Sequence, residues 1–184
     1  MKSEQILIRQ AQQGDRDAFG QLVRRCQDRL FTSIFHLVGQ SGEAEDIVQD
    51  TMVQAYVKLG AFRGDSNFYT WVYRIALNVA SDRHRKRKPE QSTDWTQQVA
   101  GGEPIDPGEA PGARLQRIER ADQVRRALGQ LSAEFRQILI LREVEDFDYA
   151  TIAGLLQVSV GTVRSRLHRA RAALRRQLER TRAE

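Results

Sequence analysis

Two small helical domains joined by a flexible linker, in an all-α chain, are what this sequence predicts, on three observations. Hydrophobic residues recur every three or four positions through residues 3–88 and again beyond 114, with few of the alternations a strand would show. All four prolines, Pro89, Pro104, Pro107 and Pro111, fall between those stretches, together with Gly101, Gly102, Gly108 and Gly112. Charge divides at the same places: residues 1–88 carry 14 Lys and Arg against 10 acids, 89–113 carry five acids and no base, and 114–184 carry 15 Arg against nine acids. Proline and glycine at that density exclude regular helix, and so few apolar residues cannot hold a core. The predicted divisions are therefore 1–88, 89–113 and 114–184, with each flanking block near the lower size limit for independent folding. Two basic blocks around an acidic spacer, at a net charge of +5, suggest a polyanion touched at two places.

In the first block a short helix runs to about Gln13 and breaks at Gly14-Asp15. Asp15 or Asp17 can cap a second helix, whose apolar positions are Phe19, Leu22, Val23, Leu30, Ile34 and Leu37. Residues 39–42 form a turn. A third helix begins near Ser41 or Glu43 and reaches about Leu59, with Ile47, Val48, Met52, Ala55, Tyr56 and Leu59 as its stripe. It opens with Glu43, Glu45, Asp46 and Asp50 before any basic residue. Acids there meet the helix macrodipole without an ion, and with no histidine nearby a metal site is disfavoured. Asp46, Gln49 and Asp50 fall on the side away from the stripe, which suits a protein-docking face.

The stretch FRGDSNFYTWVYRIALNVASDRHRKRK interleaves Phe62, Phe68, Tyr69, Trp71 and Tyr73 with Arg63 and Arg74, then runs into Arg83, Arg85, Lys86, Arg87 and Lys88. A helix starting after Ser66 or Asn67 turns Val72, Ile75, Ala76 and Val79 inward and lines up Thr70, Arg74 and Asn78 on an exposed side. Aromatic planes beside cations suit single-stranded bases, since stacking is worth roughly 1–3 kcal/mol per base. A ring packed in the core cannot also stack on a base. Trp71 is assigned to packing; Phe68, Tyr69 and Tyr73 are open to either role.

The second block ends in DYATIAGLLQVSVGTVRSRLHRARAALRRQLERTR, from Asp148. Ala153 and Val163 sit where two short helices pinned together need a small residue and a β-branched one. Ser159 is a good N-cap for a helix starting near Val160. Along it Val163, Leu167, Ala170, Leu174 and Leu178 form one apolar face. The remaining surface carries Arg164, Arg166, His168, Arg169, Arg171, Arg175 and Arg176, with no acid from Ser159 through Leu178. A helix of that kind suits a groove lined with phosphates.

Other classes fit less well. The single cysteine, Cys26, excludes an internal disulfide and reads as a packed helix position. His36, His84 and His168 are scattered and pair with no carboxylate cluster, and no Gly-rich phosphate loop or nucleophile motif is present. The expectation is a protein that acts by binding, with no enzyme chemistry and no metal or other cofactor. The opening MKSEQILIRQAQQGD has no long apolar run, so neither a signal peptide nor a membrane span is expected, and the location expected is cytoplasmic.

With both blocks read, the chain resembles an extracytoplasmic-function (group 4) sigma factor over nearly its whole length. AEDIVQDTMVQAYVKL resembles the segment that binds the β′ clamp helices of core RNA polymerase. FRGDSNFYTWVYRIALNVASDR resembles the segment that melts and reads the minus-ten element, and LSAEFRQILILREVEDFDYATIAGLLQVSVGTVRSRLHRARAAL the one that reads the minus-thirty-five element. The resemblance implies Asp46, Gln49 and Asp50 at the polymerase clamp. For the minus-ten strand it implies a flipped-base pocket of Tyr73, Asn78 and the loop Asp65, Ser66, Asn67, Phe68 and Tyr69, with Arg63, Arg74 and Arg83 beside it. For the minus-thirty-five duplex it implies Ser159, Thr162, Arg164, Ser165, Arg166, His168, Arg169 and Arg171, with Arg142 clamping a phosphate. It further implies that residues 131–141 pack a core and present a face to the polymerase β flap. The linker would run toward the RNA exit path, with a contact from Trp95, and an anti-sigma factor is implied as a partner. Two departures are visible: Gln157 stands where the turn often has Gly, so a left-handed backbone there is strained, and His168 occupies a variable position suited to tuning base preference. The alternative is a helix-turn-helix regulator that binds duplex DNA only, which has no need of the aromatic, basic segment in the first block.

Overall fold

A computed structural model describes residues 3–86 and 111–183, and these form two compact units, each taken by itself. All regular structure among the described residues is helical. The predicted linker lies outside the described residues except at its end, as do Trp95, Arg87 and Lys88. There the expectation is corrected: a helix begins at Pro111, inside the span read as linker. Proline suits a first helical position, where its missing N–H has no intrahelical partner to lose.

The first unit contains α1 (Glu4–Gln12), α2 (Arg16–Val38), α3 (Ser41–Lys58), a 3₁₀ turn at Leu59–Ala61 and α4 (Phe68–Lys86). The punctuation is where the sequence puts it. Gly14 takes φ +97° between α1 and α2, and Asp15 Oδ1 accepts from Ala18 N–H at 3.0 Å. Gly39, at φ +81°, turns the chain into α3, and Asn67 Oδ1 accepts from Thr70 N–H at 2.7 Å to start α4. Each side-chain oxygen satisfies one of the donors a helix start leaves open. The core gathers Leu7, Leu22, Leu30, Ile34, Ile47, Ala55, Leu59, Val72, Ile75, Ala76 and Val79. Cys26 is 4% exposed among them; burial pushes its thiol up to about 11, which suits a packed residue over a reactive one.

Two bonds from Gln12 have no local sequence signal. Gln12 Nε2 donates to the carbonyls of Leu59 (3.1 Å) and Phe62 (2.9 Å), tying the end of α1 to the approach to α4. The α3 stripe also differs from expectation. Ile47, Ala55 and Leu59 are buried as read, but Tyr56 is 42% exposed. Val48, Met52 and Val53 instead line an open groove of about 480 Å³ with Val23 and Phe31 of α2.

The second unit contains α5 (Pro111–Gly129), α6 (Ala133–Leu139), a π-helical turn at Ile140–Val144, α7 (Tyr149–Leu156) and α8 (Val160–Ala183). Leu131, Ile138, Leu139, Ile140 and Leu141 are buried as expected, against Ile152, Leu155, Val163, Leu167 and Ala170. Arg136 closes the end of α5. Its guanidinium donates to the carbonyls of Leu128 (3.0 Å), Gly129 (3.0 Å) and Leu131 (3.1 Å). Burial lowers it to about 10, so it stays charged at neutral pH. Bonds from a charged donor are worth about 1.5–3 kcal/mol each, although water can reach part of this group. Arg136→Met should therefore destabilise the unit by about 2–3 kcal/mol and lower its melting temperature by roughly 10–20 °C, followed by thermal unfolding. A melting curve identical to wild type would reduce those bonds to decoration.

The helix-turn-helix forms as read. Asp148 Oδ1 accepts from Thr151 N–H at 2.7 Å to cap α7, and that bond holds its carboxyl below the usual range. Ser159 Oγ accepts from Thr162 N–H at 3.0 Å to cap α8, and Ala153 (8% exposed) and Val163 (0%) are buried. Between the helices Gln157 takes φ +54°, ψ +45°, the strained left-handed conformation expected there. An L side chain costs about 1–2 kcal/mol in that region, and glycine returns about 0.4–1 kcal/mol of unfolded-chain entropy. Gln157→Gly is therefore expected to stabilise the unit by about 0.5–1 kcal/mol in a denaturant titration; a destabilised variant would show that the Gln157 side chain makes a compensating contact.

Candidate nucleic-acid interface

Three surfaces collect the predicted site residues, and each lies within one unit. The first is the outward side of α8. At 100° per residue, Ser165, His168, Arg169, Arg175 and Arg176 fall away from the line of Val163, Leu167, Ala170 and Leu174, with Arg164 about a quarter-turn from it, and all six are exposed. The start of the helix is firmly set: Ser159 Oγ also bonds Thr162 Oγ1 at 2.9 Å, and Ser165 Oγ donates to Thr162 O at 3.1 Å. Arg169 Nε donates to Ser165 O at 3.3 Å, which lays its stem along the helix. Arg166 is half-buried and flanks the apolar line.

Two cations expected on this surface are committed elsewhere. Arg171 donates through Nε (3.0 Å) and Nη2 (2.7 Å) to Glu143 Oε1, which raises its pKa. Arg142 Nη1 donates to Asp146 Oδ1 and Phe147 O, both at 3.0 Å, with its guanidinium 5.9 Å from the Tyr149 ring centroid. Glu143 and Asp146 belong to the π turn and the loop after it, so the two arginines fasten that turn to α8 and brace the entry to α7. Both arginines, read as groove and phosphate contacts, thus have carboxylate partners inside the unit.

The second surface is the loop 63–67 and the outer side of α4. Arg63, Asp65, Asn67, Arg74 and Asn78 are exposed, and Ser66 is half-buried with its hydroxyl on Asn67 O at 3.3 Å. Gly64 takes φ +80° at the tip of the loop. Of the rings left open, two are resolved as core. Phe68 is 3% exposed, packed on Phe62 (5.9 Å between centroids) and Trp71 (5.8 Å). Tyr73 is 1% exposed, with its hydroxyl 2.7 Å from Ser33 Oγ. Neither offers a face to a base, so the stacking role is corrected for both; a buried phenol needs a partner, and Ser33 supplies it. Thr70, expected outside, is also buried at 6%. Tyr69 is half-exposed, and the Arg29 guanidinium stands 4.5 Å from its ring centroid. Arg29 and Ser33 lie on α2, far away in sequence, and nothing in the α4 motif points to either.

The third surface is the acidic side of α3, where Asp46, Gln49 and Asp50 are exposed as expected, beside the apolar groove. Arg83, expected with the minus-ten residues, is found here. It donates through Nε (3.1 Å) and Nη2 (2.6 Å) to Asp50 and through Nη1 (3.0 Å) to Asp46. The reason is helical phase. Val72, Ala76, Val79 and Arg83 follow one line along α4, so Arg83 continues the inward face just past the end of the core, where α3 offers acids.

Comparison with known proteins gives the family. The family description "Sigma-70 region 2" matches residues 22–90, and "Sigma-70, region 4" matches residues 121–174. The ECF RNA polymerase sigma factor SigW of Bacillus subtilis is 34% identical, over 93% of this chain and 94% of its own. This chain belongs to the extracytoplasmic-function sigma factors. The RNA polymerase sigma-H factor of Pseudomonas aeruginosa is 39% identical over 97% of this chain and 95% of its own, and the ECF sigma-E factor of Escherichia coli K12 is 35% identical over 94% and 92%. Among solved structures, CnrH in complex with the cytosolic domain of CnrY superposes with a TM-score of 0.69 at 30% identity, covering 97% of this chain and 98% of that one. The sigma factor RpoE of Bartonella quintana, in complex with the anti-sigma factor NepR, gives 0.68 at 29% identity, covering 88% and 96%. As a sigma factor the chain is a promoter-specificity subunit of RNA polymerase, an initiation factor that works by binding and catalyses no reaction of its own. Among the described residues no helix is long and apolar enough to cross a membrane.

Proposed function

We propose that this sigma factor reads the minus-thirty-five duplex with the outer strip of α8. Arg164, Ser165, His168 and Arg169 meet bases or phosphates in the major groove, with Ser159, Thr162 and Arg166 at the margins. The loop 63–67, Tyr69 and Asn78 receive a base flipped from the non-template strand at minus ten, while Arg63 and Arg74 hold the backbone. Capturing that base offsets the few kcal/mol of unpairing, so opening needs no fuel. Asp46, Gln49 and Asp50 dock on the β′ clamp helices of core RNA polymerase, and the second unit meets the β flap. An anti-sigma factor is the partner that withholds these surfaces, a reading supported by the two solved relatives seen with bound partners.

The observation that carries this reading is the kind of surface each unit exposes. One has a cationic strip on a helix-turn-helix. The other has an acidic face with an apolar groove, and separately a polar loop with a half-exposed tyrosine. A regulator of duplex DNA needs only the first. The test is to mix the purified protein with bacterial core RNA polymerase, measure co-elution, and then run off transcripts from the promoter of its own operon. Co-elution with core-dependent initiation is expected. Tight duplex binding without core binding would instead establish the conventional regulator.

A further inference from the structure

Arg83 sits in the first unit between two exposed acids of α3, and the geometry points to a role for it at the polymerase-docking face, distinct from any contact with DNA. We propose that Arg83 is a positioning residue for core docking, which holds the Asp46 and Asp50 carboxylates as a fixed pair that accepts one cationic side chain from the partner. This rests on the docking role given above to Asp46, Gln49 and Asp50.

The atoms used are the basis of the inference. Both bonds from Arg83 to Asp50 fall on Oδ2, and the bond to Asp46 falls on its Oδ2 as well. Among the described residues neither Oδ1 accepts a hydrogen bond. Among the described residues each carboxylate is thus held through one oxygen, with the acceptor capacity of the other unused. Asp46 and Asp50 lie one turn apart, a spacing at which like charges repel and free side chains splay. With a guanidinium between them the pair is held together and aligned. The side chains are still 61% and 50% exposed, so an incoming group can reach them, while Arg83 itself is 34% exposed. A lysine or arginine of the partner can take the two Oδ1 atoms without breaking any of the three existing bonds.

The charge of Arg83 opposes such a group, but at exposed positions water and salt screen that repulsion. Ordering two carboxylates at the moment of binding is the larger penalty, and Arg83 removes it in advance. The adjoining groove, with Val48, Met52 and Val53, gives the rest of a partner helix an apolar seat.

The experiment is a titration of the full chain against core RNA polymerase in the absence of DNA, followed by run-off transcription at saturating protein. Arg83→Gln is expected to weaken core binding roughly 5- to 20-fold, with the run-off plateau regained at saturation. Arg83→Lys, which can reach one carboxylate at a time, should fall between. In an Asp46→Asn, Asp50→Asn background, Arg83→Gln should have no further effect on core binding. Equal or tighter core binding by Arg83→Gln overturns the proposal, as does a lowered plateau with unchanged core affinity, which would return Arg83 to the DNA. Asp50→Asn alone reports on the docking face: no loss there removes the docking reading itself, while a loss there and none for Arg83→Gln removes only the role of Arg83. Thermal unfolding of each variant separates these outcomes from misfolding, which an exposed ion pair gives little reason to expect.

Discussion

Asn78→Ala is expected to leave binding of holoenzyme to the closed promoter unchanged and to lower open-complex formation by roughly 5- to 150-fold. The range corresponds to about 1–3 kcal/mol, the worth of a well-placed amide contact to a base. Asn78 carries this expectation because it is the exposed amide on the outer side of α4, on the same flank as Arg74. Phe68 and Tyr73, on the same helix, are buried in the core. Permanganate reactivity of unpaired thymines at the minus-ten element would follow the loss directly. Normal opening by the variant would contradict the flipped-base pocket. Full loss of both closed and open complexes would point to folding, which a solvent-exposed residue outside the core gives no reason to expect.

Arg164→Ala is expected to act on the other step. Arg164 is exposed near the start of α8, in the turn that Ser159 and Thr162 hold in place. A bidentate contact from arginine to guanine is worth about 1–3 kcal/mol of discrimination. Its removal should weaken binding to upstream duplex by that amount and relax preference at one base pair. If Arg164 contacts a phosphate instead, binding should weaken evenly across sequences, and the salt dependence should fall by a slope of about 0.9. Measuring affinity for matched and mismatched upstream duplexes at two salt concentrations separates the two cases. Unchanged affinity in every case would remove Arg164 from the reading helix.

How much of this could be read from sequence depends on the range of the interaction. The helices, their breaks and their caps are local: Gly14, Asp15, Asn67, Asp148 and Ser159 act within a few residues of themselves, and each does what its chemistry suggests. The inward line of α4 is equally legible, because periodicity reports burial. Side chains with two possible destinations are not legible. Phe68 and Tyr73 can serve a core or a ligand, and what decides is Phe62 and Ser33, which no helix period reveals. Arg83 and Arg171 belong to cationic runs that suit phosphates, yet each has found a carboxylate brought near by folding. Charge counts could show that the surface is cationic. They could not show which cations are already spoken for.

The bonds made by Gln12 have a practical consequence. The region 2 family match begins at residue 22, after α1 has ended, so a trimmed version of this protein could be cut there with every recognised motif intact. Such a version would lose the amide that holds the carbonyls of Leu59 and Phe62, and with it the brace at the root of the loop that leads into α4. The first dozen residues fall outside every recognised motif, but in this molecule they act as the doorpost on which the loop into α4 is hung.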